Sequence, residues 1–148
     1  MQKIHYSVIE PYSVEQMYAL ISDVESYEQF VPDCKRSGII SQQGEEVIAF
    51  LEVEKLGMRK SFTTRNQLIK NKEIRMQLIE GPFKALFGNW LLTALDDNRC
   101  KIELNLQFDF KNPLIKIAFG AVFKEIMANL VKAFSNRAKQ LYPSATNL

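Results

Sequence analysis

Polar and apolar positions alternate from the start of the chain. Ile4, Tyr6 and Val8 share one side of residues 3–9, which predicts a strand. Pro11 turns the chain, and Ser13 with Gln16 three positions on makes a capping box. The helix behind it carries Met17, Tyr18, Leu20 and Ile21 inward. Asp23 is placed to cap a second short helix holding Val24, Tyr27 and Phe30, which Val31-Pro32 ends. Strand-like runs follow at 35–41, 46–54, 59–69, 73–80, 90–95 and 100–110, separated by the turn signals Gln42-Gln43-Gly44, Leu56-Gly57, Asn71-Lys72, Gly81-Pro82 and Asp96-Asp97-Asn98. The last run alternates most cleanly: Ile102, Leu104, Leu106, Phe108 and Phe110 face one way, and Glu103, Asn105, Gln107 and Asp109 the other. Residues 81–88 are predicted as a connecting loop that exposes Phe83, Leu86 and Phe87. Such a loop either folds back as a lid or is offered to a partner.

From Pro113, a plausible first helical position after Asn112, the period changes to that of one long helix ending at Leu141. Phe119, Phe123, Ile126, Met127, Leu130, Phe134, Ala138 and Leu141 form one stripe, with Glu125, Asn129, Lys132, Ser135, Asn136, Lys139 and Gln140 opposite. The first half is apolar nearly all round, and Gly120 sits within it at a cost of ~1 kcal/mol against alanine. Arg137 projects at the angle of Phe119 and Ile126, onto the apolar stripe.

The order is one strand, two short helices, six strands and a long helix. Hairpin-length connections imply an α+β architecture with a curved seven-stranded antiparallel sheet and one solvated face. The terminal helix, roughly 43 Å long, is the one element able to cover the concave face. A curved sheet gripping a helix leaves room for an apolar cavity of roughly 300 Å³ or more. Phe119, Phe123, Ile126, Met127, Leu130 and Phe134 would line it. The aromatics at its ends, Tyr27, Phe30 and Phe83 among them, either plug the sheet or meet a ligand, and Trp90 with Leu92 reads more as core. Arg137 either follows the helix dipole at the last turn and snorkels, or faces the cavity and donates to a bound molecule.

Composition agrees with a globular chain: 148 residues, 47% hydrophobic and 24% charged, which we read as one domain over 1–148. The N-terminus lacks a signal-peptide pattern and no run is apolar enough to span a bilayer. Cys34 and Cys100 are far apart, which suits a reducing cytosol. The expected location is the cytoplasm, with peripheral contact to the inner membrane left open. The net charge of +2 hides a split. Residues 1–54 hold three basic and ten acidic side chains, and residues 55–148 hold 16 basic and seven acidic ones. Either one surface meets a polyanion, or the halves interleave and their fields cancel.

Enzyme chemistry finds little support. His5, the single histidine, has no Cys, Ser or carboxylate at an informative spacing, and no phosphate loop, nucleophile elbow or metal-ligand cluster occurs. The pairs Glu45-Glu46 and Asp96-Asp97 fall in turns, where adjacent carboxylates are usually solvated. No catalytic residue and no cofactor is expected.

Several segments together resemble a known family over essentially the whole chain. They are 11–18 (Pro-Tyr-Ser-Val-Glu-Gln-Met-Tyr), 23–32 (Asp-Val-Glu-Ser-Tyr-Glu-Gln-Phe-Val-Pro), Phe62-Thr63-Thr64-Arg65-Asn66, Gly81-Pro82-Phe83-Lys84 with Trp90, and Phe119-Gly120-Ala121-Val122-Phe123-Lys124-Glu125. They are similar to the coenzyme-Q-binding START-type family (polyketide cyclase-like), nearest its bacterial branch of ribosome association toxins. The resemblance implies a helix-grip fold of the START/Bet v 1 kind, a hydrophobic tunnel, and binding of a polyprenyl quinone (ubiquinone) or other lipid in support of cellular respiration. For the bacterial branch it also implies a toxin of a type II toxin–antitoxin system that binds the large ribosomal subunit and blocks subunit association. The ligand-binding set expected is Phe30, Phe83, Trp90, Phe119, Phe123, Ile126, Met127, Leu130, Phe134 and Arg137. Lys116, Lys124, Lys132, Arg137 and Lys139 against Glu125 suit RNA or anionic lipid alike. RNA-binding sheets show outward aromatics, whereas the last strand's outward positions are acidic or amide, which favours the lipid reading.

Overall fold

A computed structural model describes residues 1–142. Strand β1 (Gln2–Glu10) leads to α1 (Val14–Ser22), then through a 3-10 turn (Val24–Ser26) to the single turn of α2 (Tyr27–Phe30). Strands β2 (Cys34–Gln43), β3 (Glu46–Lys55), β4 (Met58–Ile69), β5 (Glu73–Glu80), β6 (Phe83–Asp96) and β7 (Arg99–Phe110) follow, and α3 (Pro113–Leu141) closes the chain. The seven strands form one antiparallel sheet in the order β1-β7-β6-β5-β4-β3-β2. This is the helix-grip architecture expected from the element order.

Local chemistry explains the helix ends. The Ser13 hydroxyl accepts from the Gln16 N–H at 3.1 Å, and the Ser13 N–H donates to Gln16 Oε1 at 3.0 Å, completing the capping box of α1. Asn112 Oδ1 accepts from the Ile115 N–H at 2.9 Å, and Pro113 supplies the first helical residue of α3. Asp23 departs from expectation. Its carboxylate accepts from the Ser26 hydroxyl at 2.6 Å rather than from a helix N–H, because the segment it starts is a tight 3-10 turn.

The inward side of β7 packs as its alternation predicts. Ile102, Leu104, Leu106, Phe108 and Phe110 are all buried, and the Phe108 and Phe110 rings lie 5.0 and 6.3 Å from that of Phe123 on α3. The predicted loop at 81–88 is corrected. Only Gly81-Pro82 turns the chain, and β6 starts at Phe83, pairing Phe83 with Phe110 and Leu86 with Phe108. A register shift between Phe83 and Ala85 breaks the period of two, which is why the strand was not legible. Phe83 and Leu86 are therefore core, and Phe87 alone points outward, 41% exposed.

One transverse row on the concave side runs Ile4–Leu106–Gly88–Met76–Asn66–Val47, each residue paired with the next. At Gly88, β6 and β7 lie too close for a side chain: a Cβ there would lie 1.9 Å from the Asn105 carbonyl oxygen. Gly120 is different, since an added Cβ would meet Phe110 at an ordinary 3.7 Å, so packing does not demand a glycine.

The charge split resolves by interleaving along β3 and β4. Arg59 bridges Glu52 at 2.6 Å and Glu54 at 3.7 Å, Arg65 bridges Glu46 at 2.6 Å, and Lys55 reaches Asp33 at 3.2 Å and Glu125 of α3 at 3.3 Å. Four of the ten acids of residues 1–54 are thereby met by bases that follow them. Lys55 also ties the β3–β4 hairpin to the helix.

Candidate functional site

Between α3 and the concave face of β3–β7 lies an apolar cavity. Phe123, Met127 and Leu130 face it from the helix, and Val47, Ala49, Phe62, Ile74, Met76, Leu86, Trp90, Leu104 and Leu106 from the sheet. Ile21, Ser22, Val24 and Tyr27 close it on the side of the short helices. Half-buried Ser22, Phe50, Leu51 and Leu68 place its accessible side between the end of α1 and β3–β4. The cavity's volume is about 70 Å³. Ligand pockets typically hold about 300–1,000 Å³. The cavity is thus in place but narrow, below the volume expected from the sequence.

The expected site residues divide. Trp90, Phe123, Met127 and Leu130 line the cavity. Phe83 instead packs in an aromatic cluster, its ring 4.9 Å from Phe123, 5.2 Å from Phe110 and 6.1 Å from Phe62. Phe119 lies against Phe110 and Phe123. Phe134 meets Tyr27, Phe30 and Trp90 at 5.2, 5.8 and 5.3 Å, and Ile126 is buried in the same core. The helix stripe is wider than the cavity, so its two ends seal rather than line it. Arg137 lies outside: its guanidinium stands 5.2 Å over the Phe30 ring and donates to Gln140 Oε1 at 3.2 Å, beside a surface groove with Asn129, Lys132 and Asn136. The last turns of the helix still meet the rest of the fold, with Ser135 bonded to Glu10 of β1 and Ala138 fully buried, while Arg137 falls beside α2.

Sequence reasoning missed the polar part of the cavity. Asn66 is buried at 6% exposure on an inward position of β4, and its Oδ1 accepts from the Thr64 hydroxyl at 2.8 Å. Phe62 and Leu68 share its face, so the period of two already placed an amide among hydrophobes. Among the described residues no charged side chain lines the cavity. The Tyr27 hydroxyl, whose pKa burial pushes up, donates to the Ile21 carbonyl and so is occupied.

On the convex face a hydrogen-bonded chain crosses four strands. His5 Nδ1 lies 2.6 Å from Asn105 Oδ1, Asn105 donates to Asn89 at 3.0 Å, and Asn89 donates to Glu73 at 2.8 Å. The Asn89 amide, with Arg75 beside it, holds the Glu73 carboxyl below its usual range. Cys34 and Cys100 are buried free thiols whose pKa values burial pushes up to about 11, which makes them poor nucleophiles. Among the described residues no three His, Cys, Asp or Glu side chains are grouped to hold a metal ion.

Comparison with known proteins adds to this picture. Residues 11–135 match the family described as polyketide cyclase / dehydrase and lipid transport. The chain is 49% identical over 142 residues to "Ribosome association toxin RatA" of Escherichia coli K12, covering 96% of this chain and 90% of that protein. It is 28% identical over 147 residues to "Coenzyme Q-binding protein COQ10 homolog B, mitochondrial" of Xenopus laevis, covering 95% of this chain and 60% of that one. Among solved structures it resembles the ZhuI aromatase/cyclase of Streptomyces sp. R1128, with a TM-score of 0.85 at 17% identity and 94% of each chain covered.

Proposed function

As this chain belongs to the polyketide cyclase / dehydrase and lipid transport family, we propose that it is a non-enzymatic binding protein for a polyprenyl quinone of the ubiquinone type, supporting cellular respiration. The observation that carries the reading is the apolar cavity between α3 and the sheet, which has no charged lining among the described residues and opens beside α1. Met76 and Met127, flexible thioethers in the lining, can move aside to admit a ring. Similarity to a coenzyme-Q-binding relative supports this ligand class. The binding residues are Trp90, Phe123, Met127 and Leu130, with Phe30, Phe83, Phe119, Ile126 and Phe134 as the aromatic and aliphatic wall behind them.

A second reading rests on the 49% identity to a ribosome association toxin: binding to the large ribosomal subunit so that subunits do not join. Lys116, Lys124, Lys132 and Lys139, exposed along α3, suit that partner. One experiment separates the two. Native mass spectrometry of protein purified from quinone-producing cells should show a one-to-one lipid adduct that disappears on solvent extraction. Sucrose-gradient profiles of ribosomes with added protein should stay unchanged under the quinone reading. No adduct together with loss of joined ribosomes would reverse the order of the two.

The cytoplasmic protein then needs a bilayer from which to load. The outward side of the first half of α3 suits an anionic one: Leu114 and Ile117 are 78% and 81% exposed, with Lys111, Lys116 and Lys124 around them. The protein should sediment with vesicles containing phosphatidylglycerol. It should not do so with pure phosphatidylcholine, and Ile117→Glu should abolish the interaction. Equal sedimentation of wild type and variant would remove this face from the proposal.

A further inference from the structure

The inward row that crosses the middle of the sheet is apolar at every position except one. Asn66 stands between Val47 and Met76, with the cavity in front of it. A polar side chain on a buried strand position must find a partner or lose its hydration without return. Asn66 finds half of one. Its carbonyl oxygen accepts from the Thr64 hydroxyl at 2.8 Å, whereas among the described residues its amide nitrogen has no hydrogen-bond partner. That nitrogen is not sealed off either, since no fully enclosed side-chain nitrogen or oxygen is left unpaired among the described residues. It is therefore open, and the cavity that Asn66 lines is the space in front of it.

We propose that Asn66, oriented by Thr64, is the polar anchor of the cavity and donates through its amide to a neutral carbonyl oxygen on an otherwise apolar ligand. The assignment rests on the carrier reading above and refines it to a headgroup chemistry. Neutrality follows from the lining. A carboxylate headgroup would be desolvated there with no cation to meet it, because among the described residues no Lys or Arg lines the cavity. A ring carbonyl or an ester carbonyl needs only one donor. The hydroxyl of Thr64 turns its proton toward Asn66 Oδ1, which leaves the NH₂ end as the free one. Arg137, over the Phe30 ring and outside the cavity, cannot take this role.

The test uses the full-length protein and three probes of similar chain length: decyl-ubiquinone, methyl laurate and decylbenzene. Binding is followed through Trp90, the single tryptophan and itself part of the lining. Wild type should bind both carbonyl probes at least tenfold more tightly than decylbenzene. Asn66→Leu should lose that advantage while holding decylbenzene unchanged or more tightly, and laurate at neutral pH should bind neither protein measurably. Asn66→Ser, smaller and still a donor, should keep part of the preference and guards against a folding defect in the leucine variant. The carbonyl stretch of bound decyl-ubiquinone should shift down in wild type and return toward its free value in Asn66→Leu. If methyl laurate shows the Asn66 dependence and the quinone does not bind, the anchor stands and the quinone reading falls. If both carbonyl probes bind Asn66→Leu as they bind wild type, the anchor is wrong and the carrier reading survives. If no probe binds wild type, both fail.

Discussion

Replacing Gly88 with alanine should remove most of the stability of this fold, although the change adds a single methyl group. The new Cβ would lie 1.9 Å from the Asn105 carbonyl oxygen and 2.9 Å from the Leu106 Cα. These are backbone atoms of the adjoining strand, so no side chain can swing aside. Core overpacking typically costs about 1–3 kcal/mol. A clash against backbone should exceed that, or part β6 from β7 and carry the inward row with them. Urea denaturation should place Gly88→Ala more than about 3 kcal/mol below wild type, or the variant should be insoluble. A midpoint within the range of ordinary surface substitutions, about 0.5 kcal/mol, would mean that the sheet is less tightly drawn at this point than described.

Phe123→Ala should be the costliest single truncation in the core. The ring is fully buried, and the rings of Phe62, Phe83, Phe108, Phe110 and Phe119 all lie within 6.3 Å of it. Large-to-small changes of this kind cost about 3–5 kcal/mol. For a domain of this length that corresponds to a drop in melting temperature of roughly 6–20 °C, at about 2–4 °C per kcal/mol. Because Phe123 also forms a wall of the cavity, its loss should widen the pocket. A small apolar molecule such as decylbenzene should then recover part of the lost melting temperature. Leu114→Ala, at 78% exposure on the opposite side of the same helix, should change stability by less than about 0.5 kcal/mol. A comparable loss at both positions would contradict the assignment of helix faces.

The strength of the periodic signal decided what was legible in the sequence. The clean alternation of β7 and the 3.6-residue stripe of α3 predicted both elements and their mutual packing. The capping box of Ser13 with Gln16 and the Asn112-Pro113 start predicted the two helix starts. The first half of β6 was hidden because the register shift at Phe83–Ala85 places two inward aliphatic or aromatic residues three apart. The cavity's existence could be argued from a curved sheet and one long helix, but its position could not. Which part of a broad apolar stripe faces a void depends on where the sheet ends and where α1 and α2 settle. That is why Phe119 and Phe134 became seals while Met127 became lining. Of the two readings of Arg137, the structure has the one outside the cavity; the helix angle alone could not choose between them, because nothing in the sequence tells that the Phe30 ring of α2 lies beside it. Asn66 was within reach, since a lone amide on the face defined by Phe62 and Leu68 is visible without coordinates.

The strand order also has a kinetic consequence. Every neighbouring pair in the sheet from β2 to β7 is joined by a short hairpin, so that hexad can zip up through local contacts as it leaves the ribosome. Strand β1 is the exception, because His5 must wait for Asn105, 100 residues later. During synthesis the first-made strand, with Ile4, Tyr6 and Val8 uncovered, is therefore the last to find its place, and closing that long loop is the slow entropic step. The same step sets the order in which the protein comes apart. Loss of β1 uncovers an edge of β7 while leaving the hairpins paired, so the first opening under stress should be the separation of the N-terminal strand rather than the melting of the sheet.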